Sequence, residues 1–164
     1  LEYGHQTTTR TVQVIWPLFL PVTTYHPVDY ADAYEPDNDC GAFSVITPGL
    51  VQTRTFAMVG GGLLTDTDIV RITFAQSGVY TLTAKSTQPN AAPRVSLIPG
   101  ACGGAVWTTF ENADFTFGVP SANYVMWLRM TNASARYGLD TAYQLAASHR
   151  ASGEPGRDTA AYGS

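Results

Sequence analysis

The chain has 164 residues and is 45% hydrophobic, enough for one domain of ordinary size with one core and too little for two large ones. Charged residues make up only 13%, about half the usual share for a globular domain, and the net charge of -4 comes from scattered side chains. No basic cluster exists, which excludes a nucleic-acid partner and an electrostatic footprint for an anionic membrane.

In chain order, the first predicted element is a strand over residues 11–22. Val12, Val14, Trp16, Leu18 and Leu20 share one face, and Thr11, Gln13, Ile15, Pro17 and Phe19 share the other. The second half is apolar on both faces and so prefers burial on both, whereas Pro17 cannot donate to a ladder and points to an edge position. Pro17 and Pro21 interrupt this stretch, which is far shorter than the roughly 20 residues that cross a bilayer, so no membrane span is expected. The start at Leu1, without an initiator Met or a basic leader region, is the form expected of a processed secreted chain. Residues 1–33 therefore read as an arm and an extended linker.

From residue 49 onward, short runs rich in Val, Ile, Thr, Phe and Tyr alternate with Gly, Pro, Asn and Asp, and no helix-period stretch competes with them. Strands are predicted over 50–59, 68–75, 79–86, 94–98, 106–110, 115–119, 123–131 and 141–147. The run Gly60-Gly61-Gly62 reads as a loop and lacks the pattern of a phosphate cradle. Val70, Ile72 and Phe74 in one strand, and Tyr80, Leu82 and Ala84 in the next, flank a tight Gln76-Ser77-Gly78 connection, and the two read as a hairpin. In the most regular strand, Tyr124, Met126, Leu128 and Met130 face the core, so Val125 and Trp127 face outward and suggest a covered surface. Seven or eight antiparallel strands at this spacing predict an all-β, two-sheet sandwich. Residues 148–164 read as a polar tail.

Cys40 and Cys102 are the only cysteines, with neither C-x-x-C spacing nor a neighbouring His, which favours a structural disulfide over zinc or redox chemistry and leaves two buried thiols as the other reading. The three histidines, His5, His26 and His149, fall in the arm, linker and tail, outside the predicted sandwich, where no rigid scaffold holds a base against a nucleophile. No nucleophile elbow, zinc-binding helix or paired-carboxylate arrangement stands out, so no catalytic residue is assigned. Asn132-Ala133-Ser134 forms an N-glycosylation sequon in an expected surface turn.

The order of motifs over residues 34–147 resembles the bacterial pre-peptidase C-terminal domain. It runs Tyr34-Glu35-Pro36-Asp37-Asn38 followed by Cys40; Gln52 to Phe56; Asp66-Thr67-Asp68-Ile69-Val70-Arg71; Gly78 to Thr83; Tyr124 to Met130; and Gly138 to Leu145. The resemblance implies a secreted, jelly-roll-like antiparallel β-sandwich that stands beside the catalytic domains of extracellular peptidases and is not itself an enzyme. It also implies a disulfide at the Cys that follows the acidic motif. Ile69 stands where the family usually has an aromatic residue, which affects local packing.

Some relatives bind calcium through the acidic segment and the D-x-D region. By that resemblance Glu35, Asp37, Asn38, Asp66 and Asp68 are candidate ligands for an ion that takes six to eight oxygens. Ala33 replaces an acidic residue of those relatives, and a solvated turn held by Asx hydrogen bonds is the other reading. No other cofactor is called for.

Two functions follow. One is a secreted structural subunit of an extracellular filament or surface assembly, a homopolymer in which strand 11–22 is donated to a neighbour, with an arm folded back on its own sandwich as the competing arrangement. The other is an extracellular binding module for polysaccharide or protein fibres, accessory to a secreted peptidase or other hydrolase, using Trp107 or Trp127 as a platform.

Overall fold

The structure, a computed structural model, describes residues 32–57 and 66–150. The arm strand 11–22, the glycine run and the tail beyond residue 150 lie outside the described residues.

Among the described residues there are nine strands and no helix: β1 (Ser44–Ile46), β2 (Val51–Thr55), β3 (Thr67–Phe74), β4 (Gly78–Ser86), β5 (Pro93–Pro99), β6 (Thr108–Glu111), β7 (Ala113–Val119), β8 (Tyr124–Asn132) and β9 (Ala142–Arg150). They form two sheets, in the orders β1-β3-β8-β5-β6 and β2-β9-β4-β7. Every pairing is antiparallel except β1 with β3, which is parallel. The all-β sandwich expected from the strand spacing is therefore present.

Period-2 alternation builds the core. Val70, Ile72 and Phe74 of β3, Val95 and Leu97 of β5, and Met126, Leu128 and Met130 of β8 point inward from one sheet. Tyr80, Leu82 and Ala84 of β4 and Tyr143, Leu145 and Ala147 of β9 meet them from the other. Each fully buried large side chain contributes roughly 1.5–3 kcal/mol relative to exposure.

The expected hairpin between β3 and β4 does not form. The two strands belong to different sheets, β3 pairing with β1 and β8 and β4 with β7 and β9. Gly78, at φ 141°, helps the chain cross from one layer to the other. A Cβ there would come within 2.5 Å of His149 Nε2, a second reason for glycine. Another crossing, from β6 to β7, is made at a single residue, Asn112, at φ 46°.

Other features also differ from expectation. β1 was not anticipated, since three residues are too short for a period to register. β9 continues to Arg150 by pairing with β4 out to Val79, so His149 sits in the sheet rather than in a tail, tilted against the Tyr80 ring at 4.7 Å.

Cys40 and Cys102 are bonded, with Cα atoms 5.8 Å apart, and the bond ties the segment before β1 to the loop after β5. The bridge spans 62 residues, so replacing both cysteines by Ser is expected to lower stability by about 4 kcal/mol, read from urea unfolding. Uptake of two alkylating groups by denatured protein without reductant would contradict the bond.

Candidate metal centre and aromatic face

At one end of the sandwich the inward alternation runs on past the apolar residues and delivers charge. On β3 the face that carries Val70 and Ile72 also carries Asp68, and on β2 Gln52 and Arg54 share the inward face that leads to Phe56; all of these are buried. Residues 32–38 cross this end and add Glu35 and Asp37.

Oxygens of Glu35, Asp66 and Asp68 lie within 4.8 Å of one another. Asp66 and Asp68 are fully buried and Glu35 partly so. One oxygen of each has a protein donor: Glu35 Oε2 accepts from the Asp37 N–H at 3.2 Å, Asp66 Oδ2 from the Ala57 N–H at 2.5 Å, and Asp68 Oδ2 from the Tyr143 hydroxyl. The second oxygen of each is buried with no partner, and so is Asp37 Oδ1.

Arg54 is the only buried cation among the described residues. Its Nη1 donates to Asp37 Oδ2 at 2.7 Å, Nη2 to Ser44 Oγ at 2.5 Å and to Gln52 Oε1 at 2.8 Å, and Nε to Gln52 Oε1 at 3.1 Å. The Tyr34 ring covers the guanidinium at 4.2 Å. Asp32 closes the corner, its Oδ2 accepting the Thr55 N–H at 2.7 Å.

One cation does not neutralise four carboxylates. Burial, then repulsion from Glu35, pushes Asp66 up to about 7, and burial with repulsion from Asp66 holds Asp68 well above the usual carboxylate range. Burial raises Glu35 as well, with Asp37 adding to it, and burial raises Asp37 in spite of its bond to Arg54.

These residues fit a divalent cation. Two oxygens on one calcium at about 2.4 Å are at most about 4.8 Å apart, a limit that this cluster meets, and each of the three carboxylates keeps an oxygen without a protein partner for such an ion. Of the five candidate ligands, Glu35, Asp66 and Asp68 come together. Asp37 is turned to Arg54, and the Asn38 amide lies between Glu35 Oε2 at 3.3 Å and the Thr67 N–H at 3.5 Å. Sequence reasoning missed Arg54, Asp32 and Tyr143, although Arg54 stands in phase with Phe56 on a short strand, a detectable sign of a buried charge.

The two candidate tryptophans part company. Trp127 is half-buried against its own chain: Phe43 meets it edge-on at 4.8 Å, its indole N–H donates to the Gly100 carbonyl at 3.1 Å, and Arg71 stacks on Phe43 at 5.3 Å. Part of the cover for its outward position thus comes from within the domain. Ile69, in place of an aromatic residue, is buried and takes the Asp37 carbonyl with its N–H at 2.6 Å.

Trp107 is 54% exposed. Phe115 and Phe117 brace it edge-on at 6.0 and 6.1 Å, and its backbone N–H donates to the Leu97 carbonyl at 2.8 Å. Phe110, stacked on Phe115 at 5.3 Å, completes an aromatic seam where β6 passes into β7.

Asn132 of the sequon is buried. Its Nδ2 donates to the carbonyls of Asn90 at 2.9 Å and Arg136 at 2.6 Å, and its Oδ1 accepts the Ala92 N–H at 2.8 Å. A glycan on the folded domain would have to displace both donated bonds.

With this geometry in hand, comparison with solved structures gives distant likenesses. The sandwich is similar to a pre-peptidase C-terminal domain. That domain, from a Bacillus anthracis collagenase, shares 14% identity over 63% of this chain and 92% of its own, with a TM-score of 0.41. A Yersinia pseudotuberculosis-derived mitogen shares 15% identity over 65% of this chain and 91% of its own, at 0.40. The Aeromonas hydrophila periplasmic inhibitor of g-type lysozyme, PliG, shares 20% identity over 66% of this chain and all of its own, at 0.39. No family profile matches the chain. No curated protein matches it either. These likenesses concern the fold and assign no ligand or activity.

Proposed function

We propose that this chain is a non-catalytic, extracellular binding module, calcium-bound at its acidic end, that lays Trp107 against a polysaccharide or protein fibre and is accessory to a secreted peptidase or other hydrolase. The observation that carries it is the exposure of Trp107 on a braced aromatic seam. A large ring fixed in place loses little freedom on binding, and such residues are enriched among those that dominate interface energy. The disulfide supports an oxidising compartment, extracellular or periplasmic. The Glu35, Asp66 and Asp68 cluster supports the calcium. The filament reading rests on residues 11–22, outside the described residues, and no contact among the described ones favours it.

Sedimentation with insoluble polysaccharides and with collagen-like fibres tests the reading. The native chain is expected to co-sediment with one class, and Trp107→Ala to weaken that binding about 30-fold, the equivalent of roughly 2 kcal/mol at an interface anchor. Undiminished binding by Trp107→Ala removes the platform. Failure of the native chain to bind either fibre class, with calcium present, removes the function.

A further inference from the structure

We infer that residues 11–22 add to the open edge of β2 as the terminal strand of their own sandwich.

The edge is defined by backbone polarity. The Ala142 carbonyl of β9 accepts the Thr87 N–H on the β4 side, and the Ala147 carbonyl accepts the Gly49 N–H on the β2 side. Alternation then turns Tyr143 and Leu145 toward β2, where they meet Arg54 and Gln52. The N–H and C=O groups of Val51, Thr53 and Thr55 face the other way. Asp32 takes the Thr55 N–H. No described strand pairs with Val51 or Thr53 on that side, since β2 ends its sheet. Leu50 and Val51 at this edge are 59% and 61% exposed. An unpaired edge flanked by exposed aliphatic side chains is a template for another strand.

The sequence of residues 11–22 fits one side of that template. Backbone groups of residues an even number apart in a strand face the same edge, so Pro17 and Pro21, four residues apart, remove N–H donors from one edge only. Val12, Val14, Trp16, Leu18 and Leu20 keep every donor on the other. Such a strand pairs once and blunts the sheet beyond it, which suits a final strand.

The tether decides whose arm it is. Asp32 is anchored at one end of β2, and residues 23–31 between it and the arm span up to about 30 Å, against about 17 Å for the five residues of β2. A short tether of this kind gives an effective concentration of order millimolar, well above that of a second copy in dilute solution. The chain's own arm therefore outcompetes a neighbour's.

Amide hydrogen exchange on the full chain, with light scattering on the same sample, tests this. The Val51 and Thr53 N–H groups are expected to exchange at least about tenfold more slowly in the full chain than after deletion of residues 1–22, in a particle that is monomeric both times. A synthetic peptide of residues 11–22 should restore the protection. Because the deletion could also perturb folding, two proline substitutions in the full chain supply the sharper comparison. Val14→Pro removes a donor from the pairing edge and should lose the protection, and Ile15→Pro removes one from the blunt edge and should keep it. Equal exchange in full-length and truncated chains, equal effects of the two prolines, or protection present only in oligomers would each overturn the inference.

Discussion

Arg54→Met is expected to destabilise the domain by about 3–5 kcal/mol, far more than loss of an exposed ion pair. Arg54 and Asp37 are both buried, and the methionine fills the volume of the stem without replacing the guanidinium's bonds to Asp37, Ser44 and Gln52. Asp37 would then have lost the cation that faces it, among three further carboxylates. The cost comes from the charge left behind, so the double substitution Arg54→Met with Asp37→Leu should recover part of it. Urea unfolding in chelator measures both. A loss below about 1 kcal/mol for the single variant, the range of the exposed Lys85–Asp114 and Arg94–Glu111 pairs, would show that the bond contributes no more than a surface contact.

Calcium should reverse the pH dependence of stability. In chelator, Asp66 titrates at about 7 in the folded state against 3.8 as its ordinary value, and Asp68 and Glu35 are raised with it. A carboxyl group whose folded value is raised favours folding while protonated. That contribution is complete below the ordinary value and is lost as pH climbs through the folded one. The chelated domain should therefore lose stability between about pH 4 and 7, by several kcal/mol over the cluster. On the proposed calcium site, millimolar calcium should bind the ionised, folded form and raise the melting temperature most at pH 8, where chelator costs most. Asp68→Asn keeps an acceptor for the Tyr143 hydroxyl while removing one charge. It should be more stable than the native chain in chelator at pH 8 and should respond weakly to calcium. A melting temperature at pH 8 that is the same in chelator and in calcium would remove the metal.

The sequence determined by itself whatever depends on neighbours along the chain. Alternation named the inward residues of β3, β4 and β8, because a strand's side chains change face at every residue whatever it pairs with. The cysteine count favoured the bond between Cys40 and Cys102, and the acidic motifs named Glu35, Asp66 and Asp68.

Only the tertiary structure decided which strands share a sheet. Val70, Ile72 and Phe74 face Tyr80, Leu82 and Ala84 across the core, whereas a hairpin would have set them side by side, and both arrangements write the same alternating pattern. It alone also separated Trp107 from Trp127, since exposure depends on whether a distant residue such as Phe43 lies on top. The acidic end was half legible for the same reason. Carboxylates can be counted in a sequence, but their charge state depends on desolvation and on Arg54 and Tyr143, which only the folding of four separate chain segments brings within hydrogen-bonding reach.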